Sequence, residues 1–217
     1  MSWGPVLLPD GVEARLDAPM AWTLIVGSAV IFLAVVWLML RAVMGRAAAV
    51  RAGRWVLGGG LVLPLLVLGA LALANVQQLR RAFAAPVGEP AAVGVQARAW
   101  WWQVRVPGDD GAPDVLLANE IVLPVGRPSR VALGSDGVIH SLWVPALAGK
   151  LDAVPGRVQH LVLHPEREGR WPAPCAEFCG LGHARMTLEV VGLAPAAYEA
   201  WLRSRVARGD FGNFLRY

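Results

Sequence analysis

The segment from Cys175 to Met186 reads C-A-E-F-C-G-L-G-H-A-R-M and places two thiols, an imidazole and a thioether within twelve residues. These are soft or borderline ligands, which favour copper over harder ions. Cys179, His183 and Met186 have the spacing of a mononuclear blue-copper loop. Cys175 is one thiolate more than such a site needs, and two thiolates four residues apart can instead bridge two copper ions. A dinuclear centre needs a second imidazole, and His140 in V-I-H-S-L-W-V-P is the candidate.

Two other interpretations of this loop involve no copper. Two cysteines in an exported domain can form a disulfide, and cysteine pairs of this kind also occur in redox proteins. A Cys2His2 zinc site would use both thiols and both imidazoles. The zinc site explains neither Met186 nor the blue-copper spacing, because zinc does not seek thioethers. The full set of residues therefore favours copper.

The composition indicates a membrane protein. Of the 217 residues, 56% are hydrophobic and only 17% are charged, whereas about a quarter of the residues of a typical soluble domain are charged. The excess of hydrophobic residues lies in two uncharged runs. They have 23 and 20 residues and extend from Ala18 to Leu40 and from Trp55 to Ala74. Each is long enough to cross a bilayer, which takes about 20 apolar residues. The charged residues before the first run are three acidic residues and one arginine, whereas a cleaved signal peptide begins with a basic region, so we expect this segment to be retained.

The orientation follows from the loop between the two runs. It contains Arg41, Arg46, Arg51 and Arg54 and no acidic residue, so the positive-inside rule places it in the cytoplasm. Both termini then lie outside, in the periplasm or its equivalent. The basic pI of 9.8 owes something to this loop, and nothing in the sequence indicates nucleic-acid binding.

The region after the spans is rich in short β-like runs. They are 93–106, 119–123, 129–133, 138–144, 158–163 and 186–191, with proline and glycine turns between them. This spacing predicts an all-β sandwich or barrel. We therefore expect an exposed segment over 1–20, a transmembrane hairpin over 21–76 with spans near 18–40 and 55–76, a linker over 77–92, a β domain over 93–195, and a C-terminal helix and tail over 196–217.

Taken together, these features resemble subunit II of the haem–copper cytochrome c oxidases. The resemblance rests on the helical hairpin and on five stretches, W100-W-W102, N119-E-I-V-L-P-V-G126, V138-I-H-S-L-W-V-P145, K150-L-D-A-V-P-G-R157 and C175 to M186. It implies a membrane-anchored all-β protein whose β domain is a cupredoxin-type Greek-key sandwich over 93–195. It also implies a dinuclear copper centre, called CuA, in that domain.

The resemblance assigns roles to individual residues. His140 and His183 would each bind one copper ion, and Cys175 and Cys179 would bridge the two. Met186 and the backbone carbonyl of Glu177 would be weak ligands, one to each ion. The Glu177 carboxylate would reach a magnesium or manganese ion shared with subunit I. Trp100 would be the residue through which electrons enter.

The implied function is the acceptance of electrons from cytochrome c and their transfer to haem in subunit I, where oxygen is reduced to water. The implied partners are subunit I, other oxidase subunits, cytochrome c and the lipid bilayer of the plasma (inner) membrane. Three alternatives remain at this stage: a quinol-oxidase subunit, which would lack the copper ligands, a membrane-anchored copper chaperone, and a mononuclear cupredoxin. The region from Gln77 onwards has 15 basic and 13 acidic residues, so an acidic face for a basic cytochrome c is not expected from composition.

Overall fold

The computed structural model describes residues 7–45, 52–84, 91–107 and 114–207. The chain divides into two compact units, residues 16–85 and residues 1–15 together with 86–217. Arg46, Arg51, the middle of the predicted linker at 85–90 and the predicted tail at 208–217 lie outside the described residues.

Apolar helices account for the two uncharged runs. Helix α1 covers Val12–Val43, and a second helical stretch consists of α2 (Ala52–Leu57), a π-helical turn (Gly58–Val62) and α3 (Leu63–Ala84). The wide turn lies just before Pro64, which has no N–H to donate and whose ring disfavours a regular α-helical turn. Val12–Val43 and Gly53–Gln77 are long and apolar enough to cross a membrane. The two predicted spans are thus confirmed as helices of that kind.

The β domain has two main sheets and a small hairpin. The first sheet has the order β3-β2-β1-β5-β8, the second has the order β4-β10-β9, and β6 pairs with β7. A final helix, α4, covers Pro195–Ala207. The strands are β1 (Ala91–Arg98), β2 (Trp101–Val106), β3 (Val115–Ala118), β4 (Glu120–Pro124), β5 (Ser129–Ser135), β6 (His140–Leu142), β7 (Leu151–Ala153), β8 (Gln159–Leu163), β9 (Gly169–Pro174) and β10 (Thr187–Leu193).

Buried and more exposed residues alternate along the strands, and the buried ones form the core. Val93, Val95 and Ala97 of β1 are buried, as are Trp102 and Val104 of β2, while the residues between them are more exposed. This period of two places one face of the sheet against the interior. The predicted β-sandwich is confirmed, with parallel pairing of β1 with β5 and of β4 with β10.

The strand pattern differs from the predicted one at one point that matters for the site. The run 93–106 was expected to be continuous, but the chain turns at Ala99 and Trp100, and β1 and β2 pair as an antiparallel hairpin. Trp102 is consequently buried, Trp101 is intermediate and Trp100 is exposed. The expectation that the three tryptophans cannot all face the core is confirmed.

Asp10 and Gly11, which directly precede α1, contact the β domain. The Asp10 carboxylate accepts hydrogen bonds from Nε and Nη2 of Arg167, each 2.7 Å long, and from Nε1 of Trp171, 2.8 Å long. The Asp10 amide donates to the Ala146 carbonyl, and Gly11 forms an isolated β-bridge with Pro165. Gly11 is buried in this contact, and the exposed segment predicted over 1–20 stays a prediction.

We expect Asp10→Asn to destabilise the β domain in a pH-dependent way. Burial alone would raise the pKa of Asp10, but its hydrogen bonds with Arg167 and Trp171 and the charge of Arg167 hold the pKa below the usual 3.8. The stabilisation is therefore present above pH 3.8 and is lost as the pH falls through the lower pKa of the folded state. The expected loss near neutral pH is about 1–2 kcal/mol, since Arg167 is solvent-exposed and the pair is partly screened.

The measurement is thermal unfolding of the full-length chain in detergent, followed by near-ultraviolet circular dichroism. The difference in melting temperature between wild type and Asp10→Asn should be constant well above pH 3.8 and should narrow below it. Equal stability of the two proteins at neutral pH would show that this contact does not stabilise the domain.

Candidate metal centre

One loop, 175–186, and a short hairpin strand bring the candidate sulfur and nitrogen ligands together. His140 is the first residue of β6, and Cys175 follows the last residue of β9. An isolated bridge joins Leu142 to Cys175, and the Ala176 amide donates to the Ser141 carbonyl. The Cys175 amide donates to the Met186 carbonyl, which closes the ligand loop at its base. Backbone hydrogen bonds therefore fix the positions of the side chains.

The two cysteines are free thiols that face one another. Their Sγ atoms are 3.9 Å apart, and both side chains are buried. A disulfide would need a sulfur–sulfur distance of about 2.05 Å. The pair is thus arranged as two separate thiols, each of which could bind a metal ion.

Each thiol has its own imidazole and its own weaker donor. The Cys175 Sγ lies 3.9 Å from Nδ1 of His140 and 3.3 Å from the Glu177 carbonyl oxygen. The Cys179 Sγ lies 3.6 Å from Nδ1 of His183 and 3.8 Å from the Met186 Sδ. The arrangement has two halves of similar composition that meet at the sulfur pair.

Most of the side chains of the site are shielded from water, and His183 is half-buried. His140 and Met186 are 0% and 2% exposed, and each cysteine is 7% exposed. The ligand atoms of His140, Cys175 and Cys179 lie within 4.8 Å of one another. His140 Nε2 is buried and has no hydrogen-bond partner among the described residues. A buried imidazole that directs Nδ1 at a thiol fits a metal ligand better than a structural histidine.

The electrostatics of the site favour neutral groups. Burial, with a contribution from nearby His183, lowers the pKa of His140. Burial raises the pKa of the Cys179 thiol to about 11, and neighbouring Cys175 adds to the shift. Both sulfurs must lose protons to become metal ligands, so metal binding releases protons and strengthens as the pH rises.

Trp100 lies against the ligand loop. Its Nε1 donates a 3.2 Å hydrogen bond to the Cys179 carbonyl, and the residue is 42% exposed. Its ring covers Gly180 and Gly182, and a methyl group at Gly182 would overlap the ring at Cγ and Cδ2. Trp100 thus connects the surface to the backbone of a ligand residue. The role of Gly182 was not predicted from the sequence, where the G-L-G within the ligand loop is the only sign of it.

The Glu177 carboxylate points away from the sulfurs towards a basic side chain. Lys150 Nζ lies 3.6 Å from Glu177 Oε2 and 3.5 Å from Asp152 Oδ1. The Glu177 side chain is 43% exposed. Its backbone and its carboxylate are therefore available to different partners.

Comparison with known proteins agrees with this geometry. Residues 95–193 match the family model described as cytochrome c oxidase subunit II, periplasmic domain. The alternative cytochrome c oxidase subunit 2 of Bradyrhizobium diazoefficiens is 32% identical, over 52% of this chain and 50% of the relative. A cytochrome c oxidase subunit 2 of Cereibacter sphaeroides is 43% identical, over 44% of this chain and 32% of the relative. The matched region thus spans half or less of the length of these relatives.

A solved structure shows the same fold. The periplasmic domain of subunit II of the Bradyrhizobium japonicum cytochrome oxidase superposes with a TM-score of 0.52 and 23% identity, covering 58% of this chain and all of that domain. The family match includes every predicted copper ligand from His140 to Met186. Residues 95–193 of this chain, slightly less than half of its length, are thus similar to the periplasmic domain of cytochrome c oxidase subunit II.

Proposed function

We propose that this chain is the electron-accepting subunit II of a respiratory cytochrome c oxidase. It takes electrons from cytochrome c at a dinuclear copper centre and passes them to haem in subunit I, where oxygen is reduced to water. The observation that carries the proposal is the paired ligand set, in which each of two facing thiols has one imidazole and one weak donor.

The residues of the site fit two copper ions. Cys175 and Cys179 would bridge them. His140 and the Glu177 carbonyl would complete the coordination of one ion, and His183 and Met186 would complete that of the other. When bound, the copper pair supplies a one-electron redox centre whose charge change is shared between two ions. Soft sulfur donors and imidazoles are the ligands that copper prefers.

The protein's part is to hold the ligands still. His140 lies in a hairpin strand, and the cysteines and Met186 lie in a loop whose base is closed by backbone hydrogen bonds. Ligands locked by packing and hydrogen bonds change position little when the charge of the site changes. A buried, rigid ligand set suits repeated one-electron transfer.

Trp100 is the residue through which we propose that electrons enter. Two observations support this role: the Trp100 side chain is partly exposed, and it donates a hydrogen bond to the Cys179 carbonyl. An aromatic side chain that reaches from the surface to a ligand residue offers a short path between a docked donor and the site.

The paired geometry also argues against the alternative functions. A mononuclear cupredoxin or a single zinc ion would gather its donors around one point, whereas the two imidazoles here face different thiols. A membrane-anchored copper chaperone would not need Met186, which is buried beside Cys179. A quinol-oxidase subunit would lack these ligands.

We place the chain in the plasma (inner) membrane, with the β domain on the periplasmic side. The two apolar helices and the basic loop between them support this orientation. The contact of Asp10 with Arg167 and Trp171 adds support, because a residue that contacts the β domain is expected to lie on the same side of the membrane as that domain. Subunit I, other oxidase subunits, cytochrome c and lipid would be the partners.

The function is tested by mixing the copper-loaded full-length chain, in detergent, with reduced soluble cytochrome c in a stopped-flow instrument. We expect the cytochrome to be oxidised rapidly, with matching reduction of the chain. An absence of electron transfer from several cytochromes c to a fully loaded chain would contradict the proposal.

A separate prediction concerns Glu177, whose carboxylate we propose as a ligand of magnesium or manganese shared with subunit I. An oxygen donor suits such a hard ion. We expect Glu177→Gln to retain both copper ions, because the copper ligand is the backbone carbonyl. The same change should weaken manganese binding about tenfold or more by removing the charge.

The readout is electron paramagnetic resonance of the intact oxidase prepared with manganese. The copper signal should be unchanged and the bound manganese signal should fall. Retention of manganese in Glu177→Gln would exclude the carboxylate as its ligand. Loss of copper would show instead that the substitution disturbs the whole loop.

A further inference from the structure

We propose that Asn119 and Trp102 position His140, in that Asn119 fixes the Trp102 backbone and the Trp102 ring sets the orientation of the His140 imidazole. The inference rests on the proposed function, because its consequence is that His140 meets its copper ion at a fixed angle. Neither Asn119 nor Trp102 supplies a copper ligand, so both act through His140.

The His140 ring lacks the polar contact that usually orients a metal-binding histidine. Its Nδ1 lies 3.9 Å from the Cys175 Sγ, so this nitrogen faces the site and Nε2 lies on another edge of the ring. Nε2 is buried and has no hydrogen-bond partner among the described residues. In most metal sites the second nitrogen donates to a carboxylate, a carbonyl or a water, which fixes the ring. A different contact is needed to fix the rotation of the His140 ring.

The Trp102 ring makes such a contact. The centroids of the Trp102 and His140 rings are 6.0 Å apart, and the ring planes are inclined at 64°, an edge-to-face arrangement that aromatic pairs prefer. Both residues are 0% exposed, so neither ring can turn without displacing its neighbours. Trp102 Nε1 is buried and has no partner among the described side chains. The position of the indole therefore depends on packing and on where its backbone is held.

Asn119 holds the Trp102 backbone at both its amide and its carbonyl. The Trp102 amide donates a 2.7 Å hydrogen bond to Asn119 Oδ1, and the Asn119 amide donates a 2.8 Å hydrogen bond to the Trp102 carbonyl. Asn119 lies between β3 and β4, where the chain crosses from the first sheet to the second. Its carbonyl accepts a 2.9 Å hydrogen bond from the Glu189 amide of β10. Asn119 therefore joins the two sheets beside Trp102.

The backbone conformation of Asn119 supports this role. Its φ angle is +56°, and in the part of the chain that the structure describes every other residue with a positive φ is a glycine. Asparagine and aspartate enter this left-handed region more readily than other side chains. Asn119 is exposed, so its own burial does not hold it there. Its hydrogen bonds with Trp102 and Glu189 are the interactions that can offset the unfavourable φ angle.

The test compares copper-loaded, full-length variants in detergent. Asn119→Gly keeps the positive φ angle but removes Oδ1, and Trp102→Phe keeps an aromatic ring of smaller size. Both variants should bind two copper ions but share the unpaired electron unequally, so the seven lines of the electron paramagnetic resonance spectrum become unevenly spaced. A chelator should remove copper from each variant about tenfold faster than from wild type.

The rescue variant is Asn119→Asp, which keeps an oxygen acceptor and tolerates a positive φ angle. It should match wild type in both measurements. The matched control is Trp171→Phe, which alters another buried tryptophan, 4% exposed, whose Nε1 donates to Asp10. This variant should unfold at a lower temperature with an unchanged copper spectrum. A changed spectrum in Trp171→Phe would show that general loosening of the domain, and not positioning, is the cause.

A double-mutant cycle shows whether Asn119 acts through Trp102. The variant that carries both Asn119→Gly and Trp102→Phe should lose copper no faster than Trp102→Phe alone. Additive effects on the rate of copper loss would mean that Asn119 acts by a separate route and would overturn the inference. Wild-type spectra and wild-type copper loss in both single variants would overturn it as well.

The wild-type chain separates this inference from the proposed function. If wild type shows a dinuclear copper signal and oxidises cytochrome c while Asn119→Gly and Trp102→Phe give the same spectrum, only the positioning role is wrong. If wild type shows no dinuclear signal, the proposed function is wrong and the positioning role, which rests on it, is wrong with it.

Discussion

Replacing Cys175 with serine should abolish the dinuclear centre. The Cys175 Sγ lies between the second thiol, the His140 imidazole and the Glu177 carbonyl, so its removal takes away the donor shared by both halves of the site. A serine hydroxyl is a hard ligand and does not replace a bridging thiolate for copper. Copper content should fall from two ions per chain to one or fewer.

The rate at which the chain accepts electrons should fall together with the copper content. We expect the rate of oxidation of cytochrome c to decrease by at least about a hundredfold, beyond the loss typical of residues that only orient a ligand. The fold should persist, since Cys175 makes its backbone hydrogen bond with Met186 whatever its side chain. The measurements are copper per chain, the electron paramagnetic resonance spectrum and stopped-flow kinetics.

The same variant discriminates against the mononuclear alternative. If Cys179, His183, Met186 and His140 held a single blue-copper ion, Cys175 would be dispensable. Unchanged copper binding and unchanged kinetics in Cys175→Ser would then be observed, and the dinuclear assignment would be wrong. Glu177→Gln serves as the matched control in the same loop, because it alters no proposed copper-binding atom.

Gly182→Ala should slow electron acceptance while leaving the copper ligands in place. The φ angle at Gly182 is −88°, which alanine adopts without strain. The added methyl group would nevertheless overlap the Trp100 ring and would lie 2.7 Å from the Trp100 Cβ. We expect the ring to move off the loop and to lose its hydrogen bond with the Cys179 carbonyl. The value of kcat/KM for cytochrome c should fall about tenfold.

A double-mutant cycle with Trp100→Ala identifies the cause. Trp100→Ala alone should lower kcat/KM at least as much, about tenfold or more. The double variant should match Trp100→Ala, since the methyl group then has no ring to displace. Gly94→Ala is a suitable control, because its Cβ would meet nothing closer than 3.6 Å. Additive effects, or a changed copper spectrum in Gly182→Ala, would mean that Gly182 shapes the ligand loop rather than the position of Trp100.

The clustering of the candidate ligand side chains and the sandwich could be predicted because their signals are local. Cys175, Cys179, His183 and Met186 lie in one short segment, and alternating apolar residues mark strands such as β1 and β5. Strand β9 was missed since Pro172 and Pro174 argue against a strand. The structure tolerates them because β9 is the edge of its sheet and pairs with β10 alone.

The features that were missed depend on contacts between distant parts of the chain. Residues 93–106 are rich in aromatic and β-branched residues and contain no proline or Asn-Gly pair, so no local turn signal marked Ala99 and Trp100. The contact between Asp10 and Arg167 joins residues 157 positions apart. The overlap of Gly182 with Trp100 likewise depends on how a hairpin turn and a ligand loop meet. Such pairs are set by tertiary packing, which no periodicity reveals.

The central claim is that two copper ions share the thiols of Cys175 and Cys179. The most direct measurement is the copper content of the full-length, copper-loaded chain together with its electron paramagnetic resonance spectrum. We predict two copper ions per chain and a seven-line hyperfine pattern, which arises when one unpaired electron is shared equally by two copper nuclei. One copper ion per chain, or a four-line pattern from a single ion, would contradict the dinuclear centre.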